Sequence, residues 1–147
     1  MKKYLIAVAS ITLCCIVLNS YATDVNEKVL NSFKQTFPNV HNVSWQSLSR
    51  KYVAQFELNG VRTVVNYDFD GNITEAIRYY MEENLPMNIV LKLKKQFPDQ
   101  KVFGITEVTA GDNVEYYIKL ESEKNWTTVR MDNDGSSEIV EKYEKQQ

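Results

Sequence analysis

Outside its first fifteen residues this 147-residue chain has no cysteine, and it carries a single histidine and three prolines. Both cysteines, Cys14 and Cys15, lie inside an N-terminal apolar run. The body of the chain therefore has no thiol for a disulfide, a thiolate nucleophile or a cysteine-held metal. His41 sits near Asn39 and Asn42 with no acid or nucleophile at a telling spacing, so a Ser-His-Asp arrangement has no support and the residue reads as solvated loop. A basic excess is also missing: 17 Lys+Arg stand against 19 Asp+Glu, a balance that argues against nucleic acid. The one long apolar run, Tyr4 to Leu18, falls short of the roughly 20 residues that span a bilayer. No Gly/Pro/Ser linker or low-complexity tract divides the chain.

The apolar run has the make-up of an export signal. Lys2 and Lys3 precede it, and Ser20-Tyr21-Ala22 follows with small residues where a signal peptidase reads, predicting cleavage before Thr23. A lipobox is not matched, because Leu13 precedes Cys14. Removing residues 1–22 from 147 leaves 125, with Lys2 and Lys3 lost and a net charge of about −4. The expected product is one periplasmic or secreted domain, 23–147, with no stable membrane insertion. A domain of that size buries roughly two thirds of its unfolded surface.

Within that domain one pattern is written twice. Phe37-Pro38, Trp45, Tyr52 to Glu57 and Thr63 to Tyr67 lead into Asp68-Phe69-Asp70-Gly71. Phe97-Pro98, Ile105-Thr106-Glu107, Tyr116 to Glu121 and Thr127 to Met131 lead into Asp132-Asn133-Asp134-Gly135. The Phe-Pro pairs are 60 positions apart and the acidic turns 64, so the second copy carries a few extra residues. Like units side by side predict one body with a shared surface.

Val25, Val29, Leu30, Phe33 and Phe37 recur at helical spacing, as do Ile89, Val90, Leu93 and Phe97; Pro38 and Pro98 stop both helices. The segments between alternate with period two, and Asn59-Gly60 signals a tight hairpin. Each unit, about 25–80 and 86–143, therefore reads as a helix followed by about four antiparallel strands. The expected fold is α+β: a continuous curved sheet with both helices on one face and the other face open.

The Asp-x-Asp-Gly turns offer two candidate roles. Asp68, Asp70, Asp132 and Asp134 supply hard oxygens that calcium could use, but positions twelve on are Tyr79 and Tyr143, so the EF-hand glutamate is missing. As hairpin turns the same residues accept backbone amides while Gly takes a positive φ. No other cofactor is implied. Glu57, Glu75, Glu107 and Glu121 form no pair that spacing singles out for acid–base work. Three N-glycosylation patterns, at Asn42, Asn72 and Asn125, are short enough to arise by chance. More telling are aromatic and basic residues that alternation turns away from the apolar strand face: Tyr80, Tyr117 and Trp126 among Arg62, Arg78, Lys119 and Arg130. Such side chains anchor protein interfaces.

Taken with Phe37-Pro38, Trp45, Tyr52, Phe56, Tyr67-Asp68-Phe69-Asp70-Gly71 and their second-unit equivalents, the chain resembles the PepSY-like family, small exported bacterial proteins with a β-lactamase-inhibitor-protein-like fold. The resemblance covers nearly all of 25–143, although Glu107 stands where Trp45 aligns and Met131 replaces Tyr67. It implies helices on one sheet face and a concave, exposed second face; in the inhibitor proteins that face grips an enzyme, and related modules in protease propeptides are thought to restrain proteases. The expectation is a non-enzymatic exported binding or inhibitory module that takes a protein or peptide on its open face. The alternative is an envelope protein that binds a small ligand or calcium at the acidic turns. Outward residues differ between the copies, Gln55 against Lys119, Val53 against Tyr117 and Asn66 against Arg130, so function is expected where the copies disagree.

Overall fold

The computed structural model describes residues 24–146; the expected export signal lies outside them. Helix α1 (Glu27–Thr36) is followed by strands β1 (Ser44–Leu48), β2 (Lys51–Leu58), β3 (Val61–Tyr67) and β4 (Ile73–Tyr80). A short 3-10 turn (Glu82–Asn84) leads to helix α2 (Met87–Gln96), then β5 (Lys101–Ala110), β6 (Asn113–Glu121), β7 (Asn125–Asp132) and β8 (Ser137–Glu144). All eight strands form one open antiparallel meander in sequence order.

Local chemistry accounts for the helix ends. The Asn26 side chain accepts the Val29 amide at 3.0 Å, capping α1, and Lys34 lies in its last turn. The Phe37 and Phe97 amides each donate back to a helix carbonyl, Phe33 and Leu93, at 2.8 Å before the following proline ends the run. At the β2–β3 hairpin Asn59 and Gly60 both take positive φ, 52° and 76°, as a tight primed turn requires.

Strand register places both helices on one face. Val65 pairs with Ala54 and Ala76, while Ile105 pairs with Tyr80 and Ile118, so inward positions stay in phase across the sheet. Val29 and Phe33 of α1 pack on Ala54, Phe56, Val65 and Tyr67; Ile89 and Leu93 of α2 pack on Ile105, Ile118, Leu120, Val129 and Met131. Phe33 meets Phe56 and Trp45 edge-on at 5.2 and 5.3 Å. Each large side chain so buried contributes about 1.5–3 kcal/mol of transfer free energy.

The pairing also locates the extra residues of the second copy. Trp45 lies opposite Ala54, and Ile105 lies opposite Ile118, the residue 64 positions after Ala54. Ile105, not Glu107, thus takes the Trp45 position, which corrects the sequence alignment by one inward step. The β1–β2 hairpin closes at Leu48 and Lys51; its counterpart passes the equivalent pair, Val108 and Glu115, and continues through Thr109–Val114 and Ala110–Asn113. Four extra residues are therefore two added rungs. They give β5 two of the five residues by which its ten exceed the five of β1, the other three being Lys101–Phe103 at its start, and β5 is the strand that joins the units along β4.

Candidate functional site

The face away from the helices carries a row of side chains that crosses seven strands. Through successive pairings it runs Glu57, Arg62, Tyr79, Thr106, Tyr117, Arg130 and Glu138. Six strand steps at about 4.8 Å give a row roughly 29 Å long. Its centre is aromatic and hydroxylic, its flanks cationic and its ends acidic. Arg62 stacks over Tyr79 at 5.2 Å from the ring centre, while Arg130 pairs with Glu115 at 3.3 Å and Glu138 at 3.0 Å. The Tyr117 hydroxyl donates to Glu115 at 3.0 Å, and that bond to a carboxylate raises its pKa above the usual phenol value.

Beside the row lies a groove of about 610 Å³, lined among others by Tyr79, Met81, Phe103, Gly104, Tyr117 and Lys119. A β-bulge shapes it. Val102 pairs with Leu120 and Gly104 with Lys119, leaving Phe103 as the extra residue of β5. Strict alternation would turn Phe103 the same way as Ile105, into the core. The bulge instead delivers it, 54% exposed, against Trp126 at 4.8 Å with the rings edge-to-face. Lys119 Nζ sits 5.3 Å from the Trp126 ring centre and 5.9 Å from that of Phe103, and it forms no ion pair among the described residues. Lys145 approaches Trp126 at 4.8 Å and pairs with Glu121 at 2.6 Å. Phe103 was not among the sequence candidates; the Phe-Gly dipeptide inside a strand pattern is the signal that marks such a bulge.

Of the seven sequence candidates, Arg62, Tyr117, Lys119, Trp126 and Arg130 share the open face. Arg78 and Tyr80 do not, which corrects the outward placement expected of them. Arg78 pairs with Thr63 and Glu107, and Tyr80 with Ile105, all of them buried positions on the helix side. The Tyr80 ring is in the α2 core, although the residue also borders the groove. Its hydroxyl donates to Glu107 at 2.5 Å, and Arg78 reaches the same carboxylate at 3.1 Å. Burial first, then the Glu107 contact, hold the Tyr80 pKa far above the ordinary phenol value.

Both acidic turns are tied to helices. Asp68 accepts the amides of Asp70 and Asn72, each at 2.9 Å, and the Asn72 side chain at 2.8 Å; these bonds, the Asn72 side chain foremost, lower its pKa. Lys28 of α1 reaches Asp70 at 2.7 Å. In the second turn Asp134 accepts the Ser136 hydroxyl at 2.6 Å and its amide at 2.8 Å, and its pKa falls to about 2. Lys92 of α2 donates to the Asp134 carbonyl. The Asp68 and Asp134 carboxylates thus close their own turns, while the Asp70 carboxylate and the Asp134 carbonyl tie those turns to helices. Among the described residues no three His, Cys, Asp or Glu side chains gather as a metal site would require. His41 is exposed in the loop before β1. No described helix is long and apolar enough to cross a membrane.

No protein-family model matches the sequence, and no curated protein matches it. Solved structures do share the fold. A BLIP-like protein from Bacteroides fragilis superposes with a TM-score of 0.64 at 15% identity, covering 81% of this chain and 85% of that one. A DUF2874 family protein from Bacteroides ovatus gives 0.63 at 16% identity over 80% and 86%. A protein from Bacteroides eggerthii described as periplasmic gives 0.62 at 18% identity over 82% and 88%. At these identities the likeness is one of fold: two helices on an open eight-stranded sheet.

Proposed function

We infer that this chain is an exported bacterial module that binds a protein partner on the open face of its sheet and performs no chemistry of its own. One contrast carries the reading. The helix side of the sheet is filled by two apolar clusters, whereas the opposite side leaves Tyr79, Phe103, Lys119 and Arg62 exposed. Aromatic and arginine side chains held on rigid strands lose little entropy on docking and make effective interface anchors. A periplasmic relative by fold and the leader-like N-terminus favour export; the inhibitory form of the reading rests on the PepSY-like resemblance and on a BLIP-like relative.

The test is affinity capture from envelope extract with wild type and with a Tyr117→Ala, Trp126→Ala double variant. A partner held by the wild type and lost from the variant is expected. The same partner set on both would remove the open face from consideration.

A further inference from the structure

The groove beside Gly104 is shaped for one particular kind of side chain. It is a notch in the open face: a Cβ built on Gly104 meets no atom within 4 Å, and Phe103, turned out by the bulge, borders it along with Tyr79, Met81 and Tyr117. Those walls are apolar and aromatic, which suits a ring. The cation lining it, Lys119, is held over Phe103 and Trp126 and has no carboxylate partner among the described residues. This exposed ammonium, held by π-faces alone, has its N–H donors free for an incoming carboxylate. Glu83 and Glu141 also line the groove, and Glu141 already accepts the Thr128 hydroxyl at 3.2 Å. Both oppose added negative charge, so only a carboxylate seated directly on Lys119 is suited and an acidic run is not.

We propose that this groove receives an aromatic side chain of the partner protein next to a single carboxylate, the ring over Gly104 and the carboxylate on Lys119. The proposal rests on the reading of the open face as a docking surface and names the chemistry of what docks there.

Three blocked hexapeptides serve as probes: Gly-Ser-Trp-Asp-Ser-Gly, the same with Lys for Asp, and the same with Ala for Trp. Amide shifts of the isotope-labelled protein report binding. The Trp-Asp peptide is expected to shift the Gly104, Thr106, Lys119 and Thr128 amides saturably, and the other two to bind about fivefold more weakly or worse. Gly104→Ala places a methyl in the notch where a Cβ meets no protein atom, so it should weaken those shifts while leaving the melting temperature unchanged, and Gly104→Val should abolish them. Lys119→Glu, at an exposed position, should reverse the preference between Asp and Lys peptides whatever Gly104→Val does to stability. Absent saturation, equal binding of the three peptides, preference for the Lys peptide, or indifference to the Gly104 and Lys119 substitutions would overturn the proposal. If these peptides fail while the Tyr117→Ala, Trp126→Ala variant still loses its captured partner, the groove chemistry is wrong and the docking face stands.

Discussion

The Tyr80 hydroxyl donates a 2.5 Å hydrogen bond to Glu107, joining the last strand of the first unit to the first strand of the second. Glu107 is only 8% exposed, and its other partner is Arg78 at 3.1 Å. A buried carboxylate is tolerated only while its acceptor sites are filled. Tyr80→Phe should therefore cost about 1.5–3 kcal/mol, the range for a bond to a charged group. Urea denaturation of Tyr80→Phe, Glu107→Gln and the double variant should give a clearly non-additive cycle. Additive costs would mean the seam is held by apolar packing alone.

Gly71 turns the first acidic hairpin against α1. Its φ is +87°, and a Cβ there would lie 2.8 Å from the Lys28 carbonyl oxygen. Gly60 also has positive φ, +76°, but open space around it. Gly60→Ala should thus cost only the left-handed penalty, about 1–2 kcal/mol, and Gly71→Ala measurably more, because a helix backbone cannot swing aside as a side chain can. Equal losses in chemical denaturation would show that the turn and helix are not packed as described.

Tyr67 is wholly buried in the α1 core, and its hydroxyl finds no partner among the described residues. Burial pushes its pKa up to about 12 from 10. The folded state thus holds this proton more tightly than the unfolded chain, and stability falls as pH rises from about 10 through 12. Tyr67→Phe removes both the unpaired hydroxyl and this titration. Stability at pH 7 should be unchanged or higher by about 1 kcal/mol, and thermal melts between pH 9 and 11 should decline less than those of wild type. A steeper alkaline decline in the variant would contradict the assignment.

Period-two alternation was sufficient for the strands that bury one side only. Tyr116, Ile118 and Leu120 against Glu115, Tyr117 and Lys119 show the clean contrast that one-sided burial imposes, and Tyr117 and Lys119 face outward as their spacing predicts. In β4 apolar residues fall on both sides: Ile77 and Tyr79 lie on the open face, while Ala76, Arg78 and Tyr80 lie on the helix face. With Arg78 directed inward to Glu107 and Tyr79 outward under Arg62, polarity gives no guide to direction, and Tyr80 is misplaced. Phe103 escapes for a different reason. A bulge shifts the phase of every residue before it, and only pairing across the sheet reveals where the extra residue sits. The repeat itself is legible because turns, helix stops and inward positions constrain residue type; the two added rungs in β5 and β6 preserve that pattern while moving its spacing.

The open face as the docking surface is tested most directly by photo-crosslinking in intact envelope. A benzophenone amino acid placed at Thr106, the centre of the cross-strand row, samples that face; one at Leu91, 65% exposed on α2, samples the opposite side. A discrete covalent adduct from Thr106 and none from Leu91 is the predicted result. Adducts from Leu91 alone, or from both positions alike, would contradict it.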